Sequence, residues 1–305
     1  ASVDESLRLG RQAVALDADY FIAYTTLLTS YFIRVRFNAE HGQDPERFVS
    51  EALDASRLAA KVNSKFLPLH LSMMTIYYYY ITYKLYAGQS IGQTVNAAIS
   101  EFDTMIANGH NIPPAYGYIS WIDALWATQR LQKQEDPAPA LAHGLAAVAA
   151  CYKVAPKYPD CQAGEAQLRA VQAGWRRHQG QPFLAQLKQA HELARQASAQ
   201  SPDSDDLMMV LAQLSFEVAA AGVQAGERPQ VQIKEGLVAA EHALELMAGW
   251  PRALAQKGAL IKLRARLESD PVRRQDLLRA AESAFAEAEK GNPLLRQRIL
   301  KLGEG

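Results

Sequence analysis

Apolar residues along the chain fall at helical spacing, as in Leu207, Leu211, Leu214 and Val218, or Leu237, Ala240, Leu244 and Met247, where positions three and four apart share one helix face. No stretch alternates apolar and polar residues over any length, so essentially no sheet is predicted. The helical pattern is itself periodic. A small residue is followed five places later by a proline or its substitute at Ala13/Ala18, Ala59/Ser64, Met105/His110, Cys151/Pro156, Ala197/Pro202, Ala243/Ala248 and Ala288/Pro293, a spacing of 46 residues with 45 at the last step. A turn signal keeps the same period: Gly42-Gln43-Asp44-Pro45, Gly88-Gln89-Ser90, Gln134-Glu135-Asp136-Pro137, Gly180-Gln181-Pro182 and Gly226-Glu227-Arg228-Pro229. Glycine ends one helix in the left-handed conformation, and an Asp cap followed by proline starts the next. Each period therefore holds an A helix, for example about 19–40, and a B helix, about 45–62. One such pair cannot bury its own apolar face, so neighbouring pairs must stack into an all-α solenoid.

Those residues carry a family resemblance. The stretch from Ala13 through Asp17, Tyr20, Ala23 and Leu27 to Tyr31 resembles the tetratricopeptide (TPR) junction, with similar junctions at Ala197 to Ala212 and Ala243 to Gly258. Ala281, Phe285, Ala288 and Pro293 look like the end of a B helix of that family. The resemblance implies a right-handed α-solenoid of antiparallel helix pairs, six to seven units in one domain over 1–305. Junctions are expected near 18, 64, 110, 156, 202, 248 and 293, and a C-terminal capping helix at 294–302. Two departures stand out: a period of 46 against the common ~34, and a poor match around His110, Tyr116 and Ile119. Long-helix arrays with this turn look most like the C-terminal regions of bacterial serine/threonine kinases of eukaryotic type. The chain itself has no glycine-rich loop after a strand, no His-Arg-Asp and no Asp-Phe-Gly. A catalytic domain, if any, is expected outside it. Residues 2–17 read as a B helix without its A-helix mate, so the expectation is a chain beginning in mid-repeat of a longer parent.

Composition narrows the function. Of 305 residues 49% are hydrophobic and 21% charged, with 32 basic against 32 acidic. Without net charge, the global attraction behind most nucleic-acid and membrane-surface binding is missing, and neither partner is expected. Met73 to Tyr83 is about half the ~20 apolar residues of a membrane span, so no span is expected. Ala1 to Glu5 carries no signal-peptide pattern; a cytoplasmic location is expected, with a processed, exported form left open. Cys151 and Cys161 are expected to be unpaired, partly buried thiols. The alternative is a disulfide, because the intervening turn can bring their Cα atoms within the ~7 Å a bridge requires. Two thiols without a nearby histidine do not suggest a metal site, and no cofactor is expected.

In arrays of the resembled family, A helices line the concave wall. Carried onto this sequence, the groove positions are Thr25, Thr29 and Phe32, then Leu71, Thr75, Tyr78 and Tyr79, then Gly117, Trp121 and Leu125. Gln167 and Val171, Met209, Gln213, Phe216 and Glu217, and Arg252, Lys262 and Leu263 continue it. Tyrosine and tryptophan there make anchors for a protein or peptide, whereas Tyr77 and Tyr80 are read as packing. The lysines and asparagines that grip acidic chaperone tails in this family are absent from the matching places. The basic run from Lys257 to Arg274 is interleaved with Glu268 and Asp270 and reads as a solvated surface. The seven histidines are scattered, and His70 and His110 read as structural. Asp205 and Asp206 are explained by a helix start, where the dipole favours negative charge. The resulting expectation is a non-catalytic protein- or peptide-binding scaffold, the sensory or docking region of a larger bacterial signalling protein. Its rival is a helical-repeat protein that encloses a small apolar ligand with Tyr78, Tyr79, Trp121 and Phe216.

Overall fold

A computed structural model describes residues 2–304. The helices run in chain order α1 (Val3–Leu16), α2 (Phe21–Glu40), α3 (Glu46–Asn63), α4 (Leu67–Tyr86), α5 (Gly92–Ala107), α6 (Pro113–Gln132) and α7 (Ala138–Val154). They continue as α8 (Pro159–His178), α9 (Leu184–Gln200), α10 (Asp205–Gln224), α11 (Gln230–Leu246), α12 (Pro251–Leu267) and α13 (Pro271–Gly291), then a 3-10 turn (Pro293–Leu295) and α14 (Arg296–Glu304). Among the described residues there is no strand. Even-numbered helices from α2 to α12 are the A helices and odd-numbered ones the B helices. Each A helix packs on its flanking B helices and on the next A helix, the stacking of an all-α solenoid.

Local chemistry sets the helix ends. At the five turns spaced by 46 residues, Gly42, Gly88, Gln134, Gly180 and Gly226 all have left-handed φ, between 59° and 79°. Gln134 thus adopts the conformation its four counterparts reach as glycines. Asp44 and Asp136 accept from the amides of Glu46 and Ala138 at 2.9 Å, so each carboxylate satisfies a donor that the helix start leaves unpaired. Prolines occupy the first turn of α4, α6, α8, α12 and α13, where the missing N–H costs nothing.

Stacking buries a core that runs from Leu7 to Ala240. All four tyrosines of the run Tyr77 to Tyr80 are buried, since α4 has neighbours on every side. Helix α10 is long and apolar enough to cross a membrane by length and composition, but 72% of that stretch is buried inside the protein, as befits a core helix. Close A-to-A packing needs glycine at 164, where a Cβ would stand 1.9 Å from the Ser120 hydroxyl.

Two features depart from the sequence expectations. Cys151 and Cys161 are bridged, with Cα atoms 6.6 Å apart, instead of free: repeat stacking puts the end of α7 against the start of α8. The superhelix also curls until its first full A helix meets its last. Glu40 at the C-terminus of α2 accepts from the Trp250 indole at 2.6 Å and from Arg252 Nε at 2.7 Å. Beside it, the Asn292 amide donates to the Glu40 carbonyl at 2.9 Å. Arg298 of α14 reaches Tyr86 at 3.0 Å and Gln213 at 3.5 Å across the interior. In a simple solenoid each repeat touches only its neighbours; here contacts more than 200 residues apart in sequence close it on itself.

Candidate functional site

The interior of this closed superhelix is polar and aromatic. Arg36, on the last turns of α2, contacts Asp205 and lies 3.9 Å from Asp206 at the start of α10. Tyr79 of α4 donates to Asp206 at 2.6 Å, and Arg252 comes within 3.7 Å of the same carboxylate. Arg36 stacks over the Tyr79 ring at 5.2 Å and Arg252 over Trp250 at 4.8 Å. Tyr78 packs edge-on against Trp121 at 5.4 Å. Burial pushes the Asp206 carboxyl up and holds Tyr78 and Tyr79 as neutral phenols. Tyr79 is therefore a hydrogen-bond donor and Tyr78 a wall, and neither is an acid–base group for neutral pH.

Next to this network lies a cavity of about 110 Å³, lined by Pro114, Gly117, Tyr118, Trp121, Asp160, Ser204 and Asp206. It opens where the N-termini of α6, α8 and α10 converge. The Trp121 indole donates to the Asp160 backbone carbonyl at 2.8 Å. Desolvation raises the Asp160 carboxyl, the neighbouring Tyr158 hydroxyl opposes that, and Asp206 adds to it.

Of the groove positions expected from sequence, Tyr78, Tyr79, Trp121 and Arg252 come together in this interior. Thr75 is buried and donates to the Leu71 carbonyl, while Gln213 donates to Glu217 at 2.9 Å. Met209 packs with Trp250 and Ala253, and Phe216 with Ile233, Leu260 and Leu263, in separate clusters. Gln167, Lys262 and Thr25 are half-buried. Thr29 is exposed, in a stripe with Ile22, Thr26, Ile33 and Phe37 along α2. Moving that stripe by multiples of 46 gives positions such as Thr75, Tyr79 and Tyr83, or Tyr118, Trp121 and Gln129. None of the equivalents on the five later A helices is exposed. Several of them face the preceding A helix, as Tyr79 faces Phe32 at 5.9 Å and Gln256 faces the Ala212 carbonyl at 3.4 Å. The α2 stripe thus matches an A-to-A contact face that no described residue covers. Exposed Leu9 and Leu16 of α1 belong to the same end of the superhelix.

No family model matches the sequence, and no curated protein is significantly similar to it. A solved structure is similar. It is the crystal structure of a thermophilic TPR protein from Thermus thermophilus, 20% identical, with a TM-score of 0.41 over 91% of this chain and 99% of that one. A likeness at that level carries nothing about function.

Sequence reasoning missed Arg36, Glu40, Asp160 and Trp250, and assigned Asp205 and Asp206 only to the helix dipole. His70 is structural: its Nδ1 meets Glu101 at 2.5 Å and its Nε2 the Ser64 carbonyl at 2.9 Å. Both partners are acceptors, a pairing that favours the doubly protonated ring, and the Glu101 hydrogen bond raises its pKa above the ordinary 6.5. Stability from this contact is fully present below 6.5 and is lost as pH rises through the raised folded-state value. His143 shifts the same way through Asp123, and His191 is lowered by burial and opposes them. We therefore expect His70→Gln to flatten the fall in melting temperature as pH rises above about 6.5, relative to the parent. Equal slopes for the two proteins would sink this assignment.

Proposed function

We propose that the chain is a non-catalytic scaffold that binds a protein segment, and that the exposed face of α2, flanked by α1, receives a helix, either the preceding A helix of a longer parent chain or a helix of a partner. The reading is carried by the α2 stripe: five positions exposed on this A helix are covered on every later one. Apolar helix faces of this kind mark interaction sites. Thr29 lies at the stripe's centre, between the apolar anchors Ile22, Ile33 and Phe37. The groove positions of the interior join this reading only through their open edge, because Tyr79, Trp121 and Trp250 are buried within the fold. Enclosure of an apolar ligand is less well supported, since the interior cavity of about 110 Å³ falls short of the ~300 Å³ at which ligand pockets begin.

The setting as a docking region beside a bacterial serine/threonine kinase domain rests on the turn spacing and junction residues alone. It is tested by whether the coding sequence upstream of Ala1 encodes such a domain. Bridged cysteines favour an exported location over the cytoplasm, where disulfides rarely persist.

The scaffold reading is tested by selecting a displayed library of helical peptides on the whole chain and measuring the winners against Ile33→Glu/Phe37→Glu. Binders with apolar anchors at i, i+4 and i+7 that lose affinity for the double variant are expected. Binders that hold both proteins equally would refute the assigned face.

A further inference from the structure

The cavity at the convergence of α6, α8 and α10 has in its wall a carboxylate, Asp160, with no basic side chain beside it. The interior groups around it include four carboxylates, Glu40, Asp160, Asp205 and Asp206, against two guanidiniums, Arg36 and Arg252. Glu40 takes Arg252, and Arg36 serves Asp205 and Asp206 together. Among the described residues, no lysine, arginine or histidine is within ion-pair distance of Asp160; its polar neighbour is the Tyr158 hydroxyl. The start of α8 supports negative charge on Asp160 through the helix dipole, yet desolvation still raises its carboxyl, and a cation beside it offsets that cost.

The rest of the wall is suited to supplying what is missing. Tyr118 and Trp121 line the same space, and these ring types attract organic cations. The close approach of the wall is built in at Gly117, where a Cβ would come within 2.8 Å of the Asp160 Cβ. The Trp121 indole then holds the first turn of α8 through the Asp160 carbonyl. About 110 Å³ admits the head group of an amine or guanidine and little more.

We propose that this cavity binds an alkylammonium or guanidinium group, presented as a basic side chain of a bound protein segment or as a free small amine. The side-chain form rests on the scaffold reading; the free-amine form stands without it, so the two fail separately.

The full chain, 15N-labelled at tryptophan, is titrated with ethylguanidinium, n-butylammonium and the neutral isostere ethylurea. A parallel series uses capped alanine–glycine peptides with one central arginine, lysine or norleucine. The reporter is the Trp121 indole resonance, assigned with Trp121→Phe. Saturable shifts with the cations, absent with ethylurea and the norleucine peptide, are expected. Asp160→Asn, which keeps the side-chain shape, should weaken them roughly tenfold, the factor that corresponds to about 1.4 kcal/mol for a partly desolvated ion pair. Shifts with peptides alone assign a partner's side chain, and shifts with free cations alone assign a small amine. The proposal is overturned if neither class shifts the resonance, or if ethylurea or norleucine shifts it as much. Because that comparison is made on the unaltered protein, it holds even if Asp160→Asn folds poorly.

Discussion

Replacing Glu40 by alanine is expected to cost about 3 kcal/mol, the low end of the loss that follows removal of one member of a buried ion pair. Glu40 is only 2% exposed, and it accepts from the Trp250 indole as well as from Arg252. Its removal leaves a buried indole N–H without an acceptor and a guanidinium without its nearest carboxylate. The low end applies because Arg252 keeps Asp206 at 3.7 Å. Glu40→Gln retains an acceptor for Trp250 and should lose less. Urea unfolding gives the magnitude, and small-angle scattering gives the cause. The Glu40 contact is one of the few that join α2 to α12, so the alanine variant should show a larger radius of gyration under conditions where its helical content is unchanged. A loss below about 1 kcal/mol with unaltered dimensions would mean that the clasp does not hold the superhelix closed.

Much of the architecture is legible in the sequence, because the repeat imposes a local solution over and over. Left-handed glycines, Asp caps and first-turn prolines mark helix ends by short-range chemistry, and the apolar spacing marks the faces that stack. The closure of the superhelix is not periodic, which is why a reading by register passes over it. A physical signal for it does exist. Glu40 puts a negative charge on a helix C-terminus and Arg252 a positive charge in a first turn, each opposed to the helix dipole. Two such wrong-way charges are explained if each answers the other. Asp205 and Asp206 sit where the dipole favours them, so they gave no such signal, although they are the carboxylates that Arg36 and Tyr79 gather. The α2 stripe also escapes a reading by register, because only exposure separates Ile33 from its buried counterpart Tyr79. Gly117 belongs to the expected groove, but its role beside Asp160 depends on how closely α6 and α8 approach.

Loss of the Cys151–Cys161 bridge is the second large effect expected. Its loop is short, with a sequence separation of ten, so the chain-entropy argument gives about 2–3 kcal/mol. The repeat register shows how to isolate that contribution. Position 151 is the small residue that ends each B helix, and position 161 is an apolar residue in the first turn of the following A helix. Their counterparts include Ala13 with Ala23, Ala197 with Leu207 and Ala243 with Ala253. The bridge thus occupies positions that other repeats fill with alanine or another apolar residue, and Cys151→Ala/Cys161→Ala should fold without repacking. Its urea midpoint without reductant should match that of the parent protein after full reduction, and both should lie below the oxidised parent. A double alanine variant as stable as the oxidised protein would show that stacking of α7 on α8 already orders this junction. A variant far less stable than the reduced parent would show that the sulfurs fill space that alanine cannot.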